Sequence, residues 1–166
     1  MIKRLNPEDF FEIFNLEESL IETFRFTKNE LFLQLGSAQY SFEKAPHEVG
    51  NGKFLIHGLL FKGISNYQKT HNSGLHNDQS SFILGKDKGM NSIYDIQYVA
   101  KDNLLNTPHS FSAELTGLGS VSFHFRNAEC LSGVFINDVH SKEFIVLVST
   151  GETVSRTNPF GDRIKF

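Results

Sequence analysis

The sequence predicts a mainly β fold: an antiparallel β-sandwich or partly closed barrel with one short N-terminal helix. Three observations carry this. Apolar and polar residues alternate with period two over most of the chain, as half-buried strands require. Turn signals recur about every 8–12 residues, the spacing of sandwiches and barrels. Alternating helical and strand segments are missing, which argues against a parallel α/β sheet. The chain has 166 residues, with 17 Phe and no Trp, which fits one domain with a Phe-rich apolar core.

The helix is expected at about 7–15. Asn6 is suited to the N-cap, Pro7 to the first helical position, and Glu8 and Asp9 to the positive end of the helix dipole. Phe10, Phe11, Ile13 and Phe14 give it a wide apolar face to lay on a sheet. A β-rich body then runs from about 19 to 149. Its first hairpin turns at Lys28-Asn29, pairing Phe26 with Leu31 and Phe24 with Leu33 so that the large apolar residues share a face.

A third strand is expected at 38–43, followed by a loop at 44–52. The segment 54–67, FLIHGLLFKGISNY, is apolar on both faces and reads as a central strand. Gly58 or Gly63 would mark a bulge or a close backbone approach. Residues 68–79 read as a polar loop, 80–84 and 92–99 as strands around a turn at 85–89, and 100–109 as another loop.

The clearest hairpin is 110–126. With Gly117-Leu118-Gly119 as a three-residue loop, Leu115 faces Val121, Ala113 faces Phe123, and Phe111 faces Phe125. Strands near 130–136 and 144–149 complete the body. A polar tail at 151–166 is left to dock through Phe160 and Phe166 or to lie loose.

Composition narrows the function classes. The net charge is −3 and the basic residues are scattered, so neither a nucleic-acid footprint nor a polybasic membrane anchor is expected. No apolar run approaches the roughly 20 residues of a membrane span, and residues 7–9 interrupt any signal-peptide core. The single cysteine, Cys130, forms no disulfide within the chain and suits the reducing cytoplasm. Beside Glu129 it reads as an inert core thiol. Phosphate-cradle, dinucleotide and nucleophile-elbow motifs do not occur, and no cofactor is expected.

Two constellations could carry chemistry. His71, His76 and Asp78 lie close together in the polar segment and are suitable metal ligands, although their spacing matches no recognised pattern and a further ligand would have to come from elsewhere. The polar face of the 110–126 hairpin carries Ser112, Glu114, Ser122, His124 and Arg126. In the expected register Glu114 is diagonal to His124, as in a carboxylate–imidazole acid–base pair. A solvated outer face produces the same alternation, so binding a partner is the better reading of it. His57, within an apolar strand, reads as a buried hydrogen-bonded residue, and His109 falls in a loop without a pattern.

LEESLIETFRFTKNELFLQL (16–35) and FLIHGLLFKGIS (54–65) resemble small bacterial β-rich immunity proteins of polymorphic toxin systems. The shared pattern is an acidic-Ser start, a hairpin, and a later apolar-apolar-Phe-x-Gly-apolar strand. The resemblance implies a bacterial protein that binds one protein partner tightly, and it carries no site residue onto this chain. The expected function is therefore a non-catalytic protein-binding module, immunity- or inhibitor-like. The alternatives are a small-ligand-binding protein with a Phe-lined cavity and a metal-dependent enzyme using the loop histidines.

Overall fold

The computed structural model describes residues 1–36, 39–40, 52–71, 74–76, 82–83, 92–116 and 119–164. The elements are β1 (Lys3–Leu5), α1 (Pro7–Ile13), β2 (Phe14–Asn15), β3 (Leu20–Thr27), β4 (Glu30–Gly36), β5 (Gln39–Tyr40), β6 (Lys53–Lys62), β7 (Ser65–His71), β8 (Gly74–His76), β9 (Phe82–Ile83), β10 (Ile93–Val99), β11 (His109–Leu115), β12 (Gly119–Phe125), β13 (Asn127–Asn137), β14 (Phe144–Leu147) and β15 (Glu152–Ser155). A 3-10 turn follows at Gly161–Arg163. The fold is mainly β and antiparallel, as the alternation predicts. No helix among the described residues is long and apolar enough to cross a membrane.

Among the described residues, a large curled sheet runs β15-β14-β13-β6-β4-β3-β9, with β1 also paired to β13. A second sheet runs β10-β11-β12-β7-β8. The space between them is filled by Phe24, Phe26, Leu31 and Leu33 from the first hairpin, Leu59 and Phe61 from β6, and Phe111, Val121, Phe123 and Phe125 from the second sheet. Phe61 sits 5.0–5.3 Å, centroid to centroid, from Phe111, Phe123 and Phe125.

The helix is shorter than expected, ending at Ile13. The Asn6 side chain accepts from the Asp9 amide, and Phe10 and Phe14 enter the core. The first hairpin has the expected register, Thr27 facing Glu30 and Phe26 facing Leu31. A bulge between Ile21 and Thr23 brings Ile21 onto the same buried face as Phe24.

β6 is central and buried on both faces, as its composition predicts. Leu55, Leu59 and Phe61 face the inter-sheet core. Ile56 and Leu60 face a second cluster on the other side of the large sheet, with Leu131, Phe135, Ile145 and Leu147. That second face is capped by the C-terminal tail through Phe160 and Ile164. A Cβ on Gly58 would lie 2.8 Å from Ile164 and 2.9 Å from Phe160, so close backbone approach explains this glycine. Gly63 has φ +67 and ends β6, so the expected strand 54–67 divides and β7 crosses into the second sheet.

Strands lie where none was expected: β1 ahead of the helix, β2 at the helix's expected end and β15 in the polar tail. The expected loop at 68–79 is a correction as well: β7 continues to His71 and pairs with β8. The outer margin of β10 is bonded by the segment before β3. Glu18 N donates to Ile93 O and Ile93 N to Ser19 O. The Glu17 carboxylate then accepts from Asp95 N at 3.1 Å and Ile96 N at 3.0 Å, across a bulge where Asp95 has φ 49.

Candidate functional site

The outward face of the second sheet is built by alternation. In β11 and β12, Phe111, Ala113, Leu115, Val121, Phe123 and Phe125 turn inward, leaving Ser110, Ser112, Glu114, Ser120, Ser122 and His124 outward. The register differs from the expected one by two residues. Leu115 pairs with Gly119, Ser112 with Ser122 and Ser110 with His124, with Gly119 at φ +95. A slip of two keeps every side chain on its face, so alternation cannot distinguish the two registers. Contacts from outside the hairpin accompany the observed register: Thr116 N donates to Ser92 O, and Ser120 pairs with Thr70.

This register separates the expected acid–base pair. Glu114 faces Ser120 and His124 faces Ser110, four residues apart along the sheet, or about 13 Å at strand rise. Arg126 lies beyond β12, where its amide bonds Lys62 O and its side chain packs beside Gly63. Of the five residues expected on the binding face, Ser112, Ser122 and His124 come together, and Glu114 and Arg126 stand outside.

These three line a groove of about 580 Å³ with Ser110, Gln97, Val99, Asn66 and Gln68. Four strands contribute, and every polar liner is a hydroxyl, a carboxamide or the His124 imidazole. Asn66, at φ 51 beside a register shift between β12 and β7, donates from Nδ2 to His124 Nδ1 at 3.1 Å. This bond assigns the proton of the neutral ring to Nε2. Asn66, Gln68 and Gln97 were not legible as site residues, because they come from strands distant in sequence.

A second concavity, about 420 Å³, lies between α1 and β10, with Glu8, Glu12, Glu17, Phe11 and Tyr98 among its liners. Phe11 stacks on Tyr98 at 4.4 Å. Behind it His109, expected in a loop, is the first residue of β11 and only 4% exposed. Its Nδ1 accepts from the Tyr98 hydroxyl at 3.0 Å and the Lys101 amide at 3.2 Å, and its Nε2 lies 4.0 Å from Glu8. Burial lowers the His109 pKa against the opposing pull of Glu8. Burial and then Glu8 raise the Tyr98 phenol, and burial pushes the Cys130 thiol up to about 12. Tyr98 and Cys130 therefore keep their protons at neutral pH, which makes the phenol a donor and the thiol a poor nucleophile.

His57 is fully buried, as expected. Its Nδ1 is 2.6 Å from Ser132 Oγ, and its ring packs against Phe10 and Phe14. Lys69 is also buried, with Nζ 5.7 Å from the Phe24 ring centroid, a placement that the loop reading missed. The expected metal ligands lie outside the described residues: the side chains of His71 and His76, and Asp78 altogether. Among the described residues, no group of three or more His, Cys, Asp or Glu could hold a metal ion.

Fold and site thus define a mainly antiparallel β protein with a polar groove on the outer face of its five-stranded sheet. No family model matches the chain, and neither a curated protein nor a solved structure does.

Proposed function

We propose that this protein is a non-catalytic binding module that recognises another protein through the outer face of its second sheet, in the manner of an immunity protein or inhibitor. The observation that carries the reading is the groove. Its hydroxyls and carboxamides, drawn from four strands, both donate and accept hydrogen bonds without carrying charge. Such a surface satisfies the polar groups of a partner at little desolvation cost. The strands beneath it are anchored in the Phe core, so the face is pre-organised for binding. A single buried thiol held in its protonated form suits a bacterial cytoplasmic setting.

The test is affinity capture from the cells of origin, with the wild type and with Ser112→Arg and Ser122→Arg variants. The expected result is one stoichiometric protein partner retained by the wild type and lost with either arginine. A lone species under gentle conditions, or a partner indifferent to both substitutions, counts against the reading.

A further inference from the structure

We propose that Leu104 and Leu105 are the apolar anchor of the interface, inserted into an apolar pocket of a folded protein partner. The inference rests on the binding reading above and extends it to the loop joining β10 and β11.

Leu104 is 97% exposed and Leu105 74%. Single exposed leucines are ordinary, but two adjacent ones at the tip of a tightly bonded loop are not. Asp102 and Thr107 exchange both backbone hydrogen bonds, at 3.0 and 2.9 Å. The Asp102 carboxylate accepts from the amides of Leu104 at 2.8 Å and Leu105 at 3.2 Å, and Asn106 closes the turn at φ 52. The loop thus holds the two leucines outward by its own bonds. Ordering on binding then costs little, which is the property of an effective anchor.

The occupant follows from the surroundings. The loop leaves the sheet at Val99 and returns through Ser110, which pair across β10 and β11 and both line the groove. Val99 is itself 59% exposed. Val99 is thus an exposed apolar residue of the groove itself, and Leu104 and Leu105 stand at the tip of the loop that continues from it. A protein seated on the polar groove therefore meets apolar side chains beside it, the mixture of a protein–protein interface. A bilayer suits the loop less well. Between 101 and 108 the charges are Lys101 and Asp102, which cancel, and the chain carries −3 overall, so anionic lipid gains no attraction.

The experiment uses the full chain in its cells of origin, with the photo-reactive residue p-benzoylphenylalanine in place of Leu104, Ser112 or, as an exposed control, Val139. Supporting the anchor, positions 104 and 112 give an adduct with the same protein, and 139 gives none. Adding Leu104→Ser with Leu105→Ser lowers the adduct from 112 by about tenfold or more, the loss expected when two buried leucines become polar. Circular dichroism should show that the double variant stays folded, since both side chains are exposed.

An adduct from 112 with none from 104, or one undiminished by the double variant, overturns the anchor while the groove reading stands. No adduct from either position overturns both. An adduct of twice the chain mass assigns the loop to a second copy. Co-sedimentation with phosphatidylcholine–phosphatidylglycerol vesicles, lost in the double variant, assigns it to a bilayer. Either of those results overturns the proposal.

Discussion

Acid should destabilise this protein through His57, and the size of the effect can be worked from its surroundings. The imidazole is fully buried between Phe10 and Phe14. Nδ1 meets Ser132 Oγ, and Nε2 has no hydrogen-bond partner among the described residues. Burial lowers its pKa from 6.5 to about 3. In the unfolded chain the ring takes a proton at its ordinary value, so above pH 6.5 it is neutral in both states and stability is undiminished. Below that the unfolded state binds the proton and the folded state does not, so stability falls by up to about 1.4 kcal/mol per pH unit. The loss continues towards the folded value, and by pH 5 it amounts to about 2 kcal/mol.

The perturbation is the double variant His57→Leu with Ser132→Ala, which removes both polar partners and leaves neither orphaned. Urea unfolding at about pH 7.5 and pH 5 gives the assay, with the m-value checking that the unfolded state is unchanged. Wild type should lose about 2 kcal/mol more than the variant between the two conditions. His109, also lowered by burial, adds a loss of the same sign to both proteins and cancels in the comparison. Equal losses would refute the reasoning. So would an NMR titration in which the His57 ring carbons of the folded protein move between these pH values.

Three further outcomes are expected. Gly58→Ala should push Phe160 and Ile164 off the sheet and cost about 1–3 kcal/mol in chemical unfolding; an unchanged midpoint would contradict the close approach. Glu129→Gln removes the charge that Lys62 and Arg4 both face and one of its two acceptor oxygens; the bonds from Lys62 and then Arg4 hold the Glu129 carboxyl below its ordinary 4.5. These groups are partly exposed, so the cost should be at most about 1 kcal/mol and shrink in salt. Its contribution is present above pH 4.5 and fades as the pH drops below that value. The Cys130 thiol, buried and held protonated, should react with an aromatic disulfide reagent only after unfolding; rapid reaction in native buffer would show that the core opens there.

The first hairpin was legible because a two-residue turn and a one-sided apolar face together allow one register, and Phe26 does face Leu31. The second was legible only modulo two. Leu115 can pair with Gly119 or with Val121 with the same faces inward, and the choice involves Ser92 and Thr70, far along the chain. The double-sided burial of β6 could be read from its apolar run, and the glycine at 58 from its incongruity there. The groove was half legible. Ser112, Ser122 and His124 follow from alternation, whereas Asn66, Gln68 and Gln97 depend on which strands adjoin the hairpin. His109 escaped notice because Asn106 and Pro108 beside it signal a loop, and only the fold shows Tyr98 and Lys101 bonding to its ring.

The Glu17 carboxylate, set against the amides of Asp95 and Ile96, bears on how this protein keeps company with others. A sheet margin with free amides invites any extended chain to add itself, which is how edge-to-edge aggregates and fibres begin. Here one side chain takes up two of those amides, and the bulge at Asp95 turns the strand out of line beside them. Lateral growth is blocked along that stretch. The margin of β10 is thereby kept from recruiting a passing extended chain at those two positions.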